Sequence, residues 1–302
     1  MIPGVIKPID PSAIHRICSG QVVLDLASAV KELVENSLDA KATTIEVKLK
    51  EHGSETVEVS DNGPGITPEN YEGLVMKYHT SKIADFGDLE SLCSFGFRGE
   101  ALSSLCALAD LSVVTRTSDQ EVATRLEYDK GGILVSKTAA ARAVGTTVTL
   151  ANLFSPLPVR YKDFQRNLKR EYARLVNLMQ AYALICTDTR LVVSNQVKQG
   201  ARNTLVRTQG TGALRDNIVS IFGAVSAGNM REITLPFEEL NGCLTGYISK
   251  ADVGCGRASG DRQYFFLNGR PVDLPKMSKA LNDVYRSYNV AQQFPMTVLN
   301  LQ

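Results

Sequence analysis

The chain has 302 residues, 44% hydrophobic and 22% charged, an ordinary globular composition. It predicts two domains whose cores need no metal or disulfide staple. The 33 Lys and Arg against 32 Asp and Glu leave a net charge of +1, which excludes a uniformly basic nucleic-acid binder and a strongly acidic chain but not a local basic face. No apolar run approaches the ~20 residues of a membrane span, so no membrane partner is expected. Met1 to Asp10 lack the build of a signal peptide. The six cysteines are scattered without a C-x-x-C pair, which predicts a reducing compartment and mostly packing roles.

A helix is predicted over 27–40, where Val30, Leu33, Val34 and Leu38 form one apolar stripe. Glu32, Asn36 and Asp39 share another face of it. Alternation over 44–50 and 56–60 predicts a hairpin joined by a polar turn at 51–55. Asp61-Asn-Gly-Pro-Gly65 then breaks regular structure. A short helix over 69–78, a loop over 80–97 and a helix over 100–108 follow. Strands are predicted over 111–117, 124–128, 133–137 and 146–150. Phe164, Leu168, Tyr172, Leu175, Leu178 and Met179 keep the helical period and predict one long helix over 162–185, then a strand over 190–194. Residues 197–212 are polar and hold Gly200, Gly210 and Gly212, so they are expected to be a linker or mobile loop between domains at 1–196 and 213–302. The second domain reads as helix 213–222, strands 232–235, 244–250 and 263–268, helix 276–288 and strand 297–301. No internal repeat is evident.

No G-x-x-x-x-G-K-[ST], H-E-x-x-H or G-x-S-x-G occurs, and Gly254-Cys-Gly256 is an isolated G-x-G. His15, His52 and His79 are too dispersed to suggest a ligand set. Three segments carry more chemistry. On Glu32-x-x-x-Asn36, a carboxylate can act as general base and an amide oxygen suits Mg²⁺; a solvated polar face is the other reading. In Asp61-Asn-Gly-Pro-Gly65, glycines admit a ligand close to the backbone. The acceptor-only Asp61 would favour the adenine amine over the guanine carbonyl; an ordinary Asp/Gly turn is the other reading. In Phe95-Gly-Phe-Arg-Gly-Glu-Ala-Leu102, glycines before a helix can cradle phosphates, with Arg98 adding charge; a plain helix start with Glu100 on the dipole is the other reading. Gly145-Thr-Thr147, at a strand start, can bring a hydroxyl under a base.

The order of these segments resembles the nucleotide-binding domain shared by gyrase, a class of heat-shock chaperones, histidine kinases and MutL. Val30-Lys-Glu-Leu-Val-Glu-Asn-Ser-Leu-Asp-Ala40, Thr80-Ser-Lys82, Gly96-Phe-Arg-Gly-Glu-Ala-Leu102 and Phe154-Ser-Pro-Leu-Pro-Val-Arg160 resemble the MutL family of DNA mismatch-repair proteins. Ile14 to Val22 and Gly256 to Pro271 are similar to the eukaryotic PMS-type subunits of MutL-alpha. The resemblance implies a GHKL or Bergerat-type α/β sandwich ATPase domain, then a domain similar to domain 2 of ribosomal protein S5. It implies ATP and Mg²⁺ as ligands, Glu32 as general base and Asn36 as Mg²⁺ ligand. By the same resemblance Asp61 reads adenine with Gly65 and Thr146. The lid is Gly96, Arg98, Gly99, Glu100, Ala101 and Leu102, and Lys82 is a further contact. Lys41 stands where many relatives have Gly, in a loop expected to tolerate it. Relatives continue past the position of Gln302 into a Pro-x-Lys segment and an endonuclease region. These residues are therefore expected to bind ATP better than they hydrolyse it, and to hold no nicking activity.

Neutral net charge hides basic clusters. Arg160, Lys162, Arg166, Lys169, Arg170 and Arg174 crowd one helix, and Arg270 lies in the second domain. Such cations suit non-specific contact with DNA phosphates, while Asp163 and Glu171 interleave as in a solvated helix. The resemblance also implies a related MutL-type partner subunit, a MutS-type complex and a nuclear location. The alternative function is a nucleotide- or DNA-binding module without turnover. A histidine kinase is disfavoured, since no phosphoacceptor His segment is evident.

Overall fold

The structure, a computed structural model, describes residues 8–80, 82, 87, 94–96, 98–237 and 242–302. The loop expected over 80–97 therefore lies mostly outside the described residues, as do Ser81, Cys93 and Phe97.

Helices α1 (Pro11–Val22) and α2 (Leu26–Asp39) precede a hairpin of β1 (Thr44–Lys50) and β2 (Thr56–Asp61). Then come α3 (Ala101–Leu108), β3 (Asp110–Arg116), β4 (Ala123–Tyr128), β5 (Leu134–Ala140), β6 (Gly145–Ala151), α4 (Pro158–Arg166), α5 (Leu168–Ile185), β7 (Arg190–Gln196) and β8 (Asn203–Arg207). These strands form an eight-stranded sheet in the order β5-β4-β3-β6-β2-β1-β7-β8. The neighbours from β5 through to β1 pair antiparallel. The chain divides into two compact units, Met1–Val176 with Val192–Leu205, and Asn177–Leu191 with Val206–Gln302.

Alternation builds the sheet. Ile45, Val47 and Leu49 of β1 are fully buried, while Lys48 points away and pairs with Glu58 across the hairpin at 3.0 Å. Helix α2 begins with a capping box. Asp25 accepts the Ser28 N–H at 2.7 Å, and the Ser28 hydroxyl accepts the Asp25 N–H at 2.9 Å. Its stripe of Val30, Leu33 and Val34 is buried, and the helix packs on β2. Just past it, Lys41 has φ +58°, the left-handed region that explains why Gly is expected there.

Several features differ from the sequence expectations, among them the short helix Ala224–Gly228 and the strand Arg270–Val272, which carry no period of their own. Residues 69–78 form two single 3₁₀ turns, Pro68–Asn70 and Gly73–Val75, because Gly73 interrupts the helical run. The long helix is two helices. Asn167 ends α4, donating its side-chain amide to the Asp163 carbonyl, and its own carbonyl accepts Arg170 and Glu171 N–H groups to start α5. The apolar period runs on across this joint, which hides it from sequence. Residues 197–212 hold strand β8 at the edge of the sheet, where a half-exposed strand needs little apolar alternation. Helix α1 was not expected because its buried face is small and polar: Ser19 and Gly20 are inside while Ile14 and Ile17 are exposed.

In the second unit, α6 (Leu214–Phe222) and α7 (Ala224–Gly228) precede β9 (Met230–Phe237), β10 (Gly242–Ser249), β11 (Gln263–Leu267), β12 (Arg270–Val272), α8 (Pro275–Tyr288) and β13 (Thr297–Leu301). The sheet order is β12-β11-β13-β10-β9, with β11 and β13 parallel. Both faces are covered. Tyr264, Phe266 and Val298 meet Ile218, Phe222 and the end of α5, while Phe265 and Leu299 meet Met277 and Leu281 of α8. Among the described residues no helix is long and apolar enough to cross a membrane.

Candidate nucleotide site

The site grows from the polar face of α2. Glu32 is half-buried, and its carboxylate meets Lys31 Nζ at 3.3 Å. Lys31 also holds the buried Glu35 at 2.8 Å. Burial opposes the lysine charge, but the bonds to Glu35 and the two carboxylates outweigh it and raise the Lys31 pKa. One turn beyond Glu32, Asn36 Oδ1 accepts Lys82 Nζ at 3.1 Å. The same ammonium reaches Asp39 at 2.6 Å. Asp39 in turn accepts the backbone N–H groups of Phe95 at 2.7 Å and Gly96 at 3.0 Å. A Cβ on Gly96 would stand 3.3 Å from Lys82 Nζ and 3.7 Å from Asn36 Oδ1. That glycine therefore leaves space open in front of the Asn36 oxygen.

Ser37, next on α2, links this group to a second one. Its hydroxyl donates to Asp61 Oδ2 at 2.9 Å. Asp61 Oδ1 accepts the Gly63 N–H at 2.9 Å and the Thr146 N–H at 3.2 Å. A carboxylate offers about four acceptor sites, so Oδ2 keeps one directed elsewhere. The Arg142 guanidinium donates to the Asp61 carbonyl at 2.6 Å and to Thr147 Oγ1 at 2.9 Å. Burial pulls the Arg142 pKa down, against the attraction of Asp61 and Glu58. Gly65 has φ +81°, and a Cβ there would lie 2.2 Å from the Arg116 carbonyl. Beside it, the Ile66 N–H donates to Thr115 Oγ1 at 2.8 Å, which is 3.2 Å from Thr146 Oγ1. Gly145, at φ +128°, lets β6 approach the Asp61 carbonyl.

The segment before α3 is anchored by its backbone. Tyr78 N–H donates to the Gly99 carbonyl at 2.9 Å, and Gly99 has φ +61° with no room for a Cβ beside His79. Arg98 is exposed. Glu100 precedes the first turn of α3 and makes no side-chain cap there, and Ala101 and Leu102 are half-buried. The structure thus gathers Asn36, Lys82 and Gly96 around Asp39, and Thr146 with Ser37 and Gly63 around Asp61, while Gly65 lies against the Arg116 carbonyl.

Asn36 alone offers one neutral hard oxygen. Among the described residues no group of three His, Cys, Asp or Glu side chains could hold a metal. The donor set fits a Mg²⁺ ion that takes its remaining ligands from phosphate and water.

The basic residues divide. Arg160 is not presented to solvent as expected. It donates to the carbonyls of Gly20, Val23 at 2.8 Å and Leu24, and lies over the Phe154 ring at 4.5 Å. The carboxyl end of α1 has unsatisfied carbonyls, and this guanidinium satisfies them. Arg166 pairs with Asp163 at 2.7 Å. Lys162, Lys169 and Arg170 are exposed on α4 and α5, and half-buried Arg270 is on β12 of the other unit.

Residues 24–149 match the family described as "Histidine kinase-, DNA gyrase B-, and HSP90-like ATPase", and residues 218–302 match "DNA mismatch repair protein, C-terminal domain". The chain is 50% identical over 297 residues to DNA mismatch repair protein PMS1 of Arabidopsis thaliana, covering 98% of this chain and 32% of that protein. It is 47% identical over 316 residues to Mismatch repair endonuclease PMS2 of Homo sapiens, covering 98% and 36%. A solved N-terminal domain of a DNA repair protein is 43% identical, with a TM-score of 0.84 over 95% of this chain and 86% of that one. The chain belongs to the MutL family of DNA mismatch-repair proteins. Its fold is also that of the Aquifex aeolicus MutL ATPase domain complexed with ADP, at TM-score 0.66, 23% identity and 91% and 90% coverage. The chain spans about a third of the length of the curated relatives it matches.

Sequence reasoning missed several parts of this MutL-type site. Asp39 was visible on the face of Glu32 and Asn36 but had no chemistry assigned. Ser37 sits between recognised neighbours and was legible only by adjacency. Thr115 and Arg142 carry no local signal, since only the strand order brings Thr115 to Ile66 and Thr146 and brings Arg142 to the Asp61 carbonyl.

Proposed function

We propose that these residues bind ATP with Mg²⁺ and hydrolyse it. The observation that carries this reading is Asp61, held by Ser37, Gly63 and Thr146 with one acceptor position left, beside the helix that bears Glu32 and Asn36. That position suits the exocyclic amine of adenine, and Gly65, whose missing side chain admits the Arg116 carbonyl, fixes the turn beside it. Asn36 would ligate Mg²⁺, which when bound neutralises phosphate charge. Gly96, Arg98 and Gly99, with the backbone of Glu100, Ala101 and Leu102, would contact the phosphates together with Lys82. The Glu32 carboxylate takes the proton from the attacking water.

The family supports a wider reading. Phosphate contacts would order the lid, and the ordered state would pair with a related MutL-type subunit, with hydrolysis resetting it. Lys162, Arg166, Lys169, Arg170 and Arg270 would meet DNA phosphates non-specifically. A MutS-type complex and a nuclear location belong to the same reading.

Glu32→Ala should abolish ADP production and leave ATP binding within about threefold of the parent chain, as expected of a residue acting in the chemical step. Asn36→Ala should remove the difference between Mg²⁺ and EDTA. Loss of binding in Glu32→Ala would make Glu32 a nucleotide ligand. Binding without turnover in the unaltered chain would leave a nucleotide-holding module.

A further inference from the structure

Asp39, like Asp61, accepts three hydrogen bonds with its carboxylate. Its Oδ2 accepts Lys82 Nζ at 2.6 Å and the Gly96 N–H at 3.0 Å, and its Oδ1 accepts the Phe95 N–H at 2.7 Å. Its side chain is 7% exposed against 24% for Lys82, so α2 supplies the fixed half of the pair. The ammonium it holds is the one that donates to Asn36 Oδ1 at 3.1 Å. Gly96 lies beside both groups: a Cβ there would stand 3.3 Å from the ammonium, tighter than ordinary contact, and 3.7 Å from the Asn36 oxygen. An ammonium and a divalent cation seek the same hard oxygen and repel one another, so Asn36 serves one at a time.

We propose that Asp39 is a positioning residue that parks Lys82 on Asn36 and clips the backbone at Phe95 and Gly96, keeping the Asn36 oxygen from a divalent cation until nucleotide phosphates draw Lys82 away. The inference rests on the ATP-site reading above and adds a regulatory step to it. A triphosphate carries more negative charge than one carboxylate, so it competes for the ammonium. Asp39 then keeps its two backbone N–H partners. The exchange therefore breaks the two contacts of the ammonium, to Asp39 and to Asn36, and leaves Phe95 and Gly96 held. A purely structural Asp39 would hold the same backbone but would have no effect that depends on Lys82.

Two variants separate these roles. Asp39→Asn keeps the shape, removes the charge that holds Lys82 and gives up one of the two backbone bonds, a loss that does not depend on Lys82. Lys82→Met removes the ammonium from the more exposed side. Mg²⁺ is titrated at fixed ATP concentration and bound nucleotide is followed by equilibrium fluorescence. Half-saturating Mg²⁺ should fall roughly tenfold in Asp39→Asn, and this shift should vanish in the Lys82→Met background. In the nucleotide-free protein, the Phe95 and Gly96 amide protons should exchange roughly tenfold faster in Asp39→Ala than in the parent chain. An unchanged or higher Mg²⁺ requirement in Asp39→Asn, or an equal shift with and without Lys82, overturns the parking role. Unchanged exchange overturns the clip. Failure of the parent chain to bind ATP overturns the underlying reading instead, while the amide exchange still reads the clip.

Discussion

Gly65 sits where the turn after Asp61 meets β3, with φ +81° and the Arg116 carbonyl in the place of any side chain. Gly65→Ala must move the backbone from this conformation, at a cost of about 1–3 kcal/mol. A lower melting temperature together with weakened ATP binding is expected, and normal binding would show that the close approach is not used. The Asp/Gly pattern made this turn legible, because glycine tolerance is a local property. What surrounds Asp61 was not legible. Its partners Ser37 and Thr146 come from opposite sides of the turn, and Arg142 reaches it only because β6 pairs with β2. Residue types reveal what a side chain offers, but the topology decides what it meets.

Helix α1 and the α4–α5 pair fix which basic side chains remain exposed. Charge clustering and the family resemblance together mark Arg160 as a DNA contact, yet its guanidinium is engaged by carbonyls at the end of α1. Arg160→Ala should destabilise the chain by about 2 kcal/mol, since these bonds to a charged donor are lost and the carbonyls are left unsatisfied. The paired change Lys169→Ala with Arg170→Ala touches exposed cations and should leave the melting temperature unchanged. It should instead weaken DNA binding evenly across sequences and lower the salt slope by about one per residue. Thermal melts beside binding at several salt concentrations check both halves. The strong alternation of β1 and the apolar stripe of α2 were legible in sequence. The joint at Asn167 was not, because the apolar period continues through it, and α1 was not, because small polar residues bury its inner face.

For the whole molecule, a net charge of +1 says little, since function lies in where charges are placed. Every residue assigned to the nucleotide, from Glu32 to Thr146, falls in the first unit. The second unit's sheet is covered on both faces, as its aromatic run at 264–266 lets successive side chains serve opposite layers. On the proposed function, Asp61 selects the base. The most direct measurement is equilibrium binding of ATP and GTP to the chain with Mg²⁺, repeated for Asp61→Asn. A hydrogen bond to a charged acceptor, replaced by an oxygen facing an oxygen, predicts ATP bound about 10- to 100-fold more tightly than GTP. Asp61→Asn should erase that difference. Equal binding of ATP and GTP by the unaltered chain, or no binding of ATP, would contradict the account.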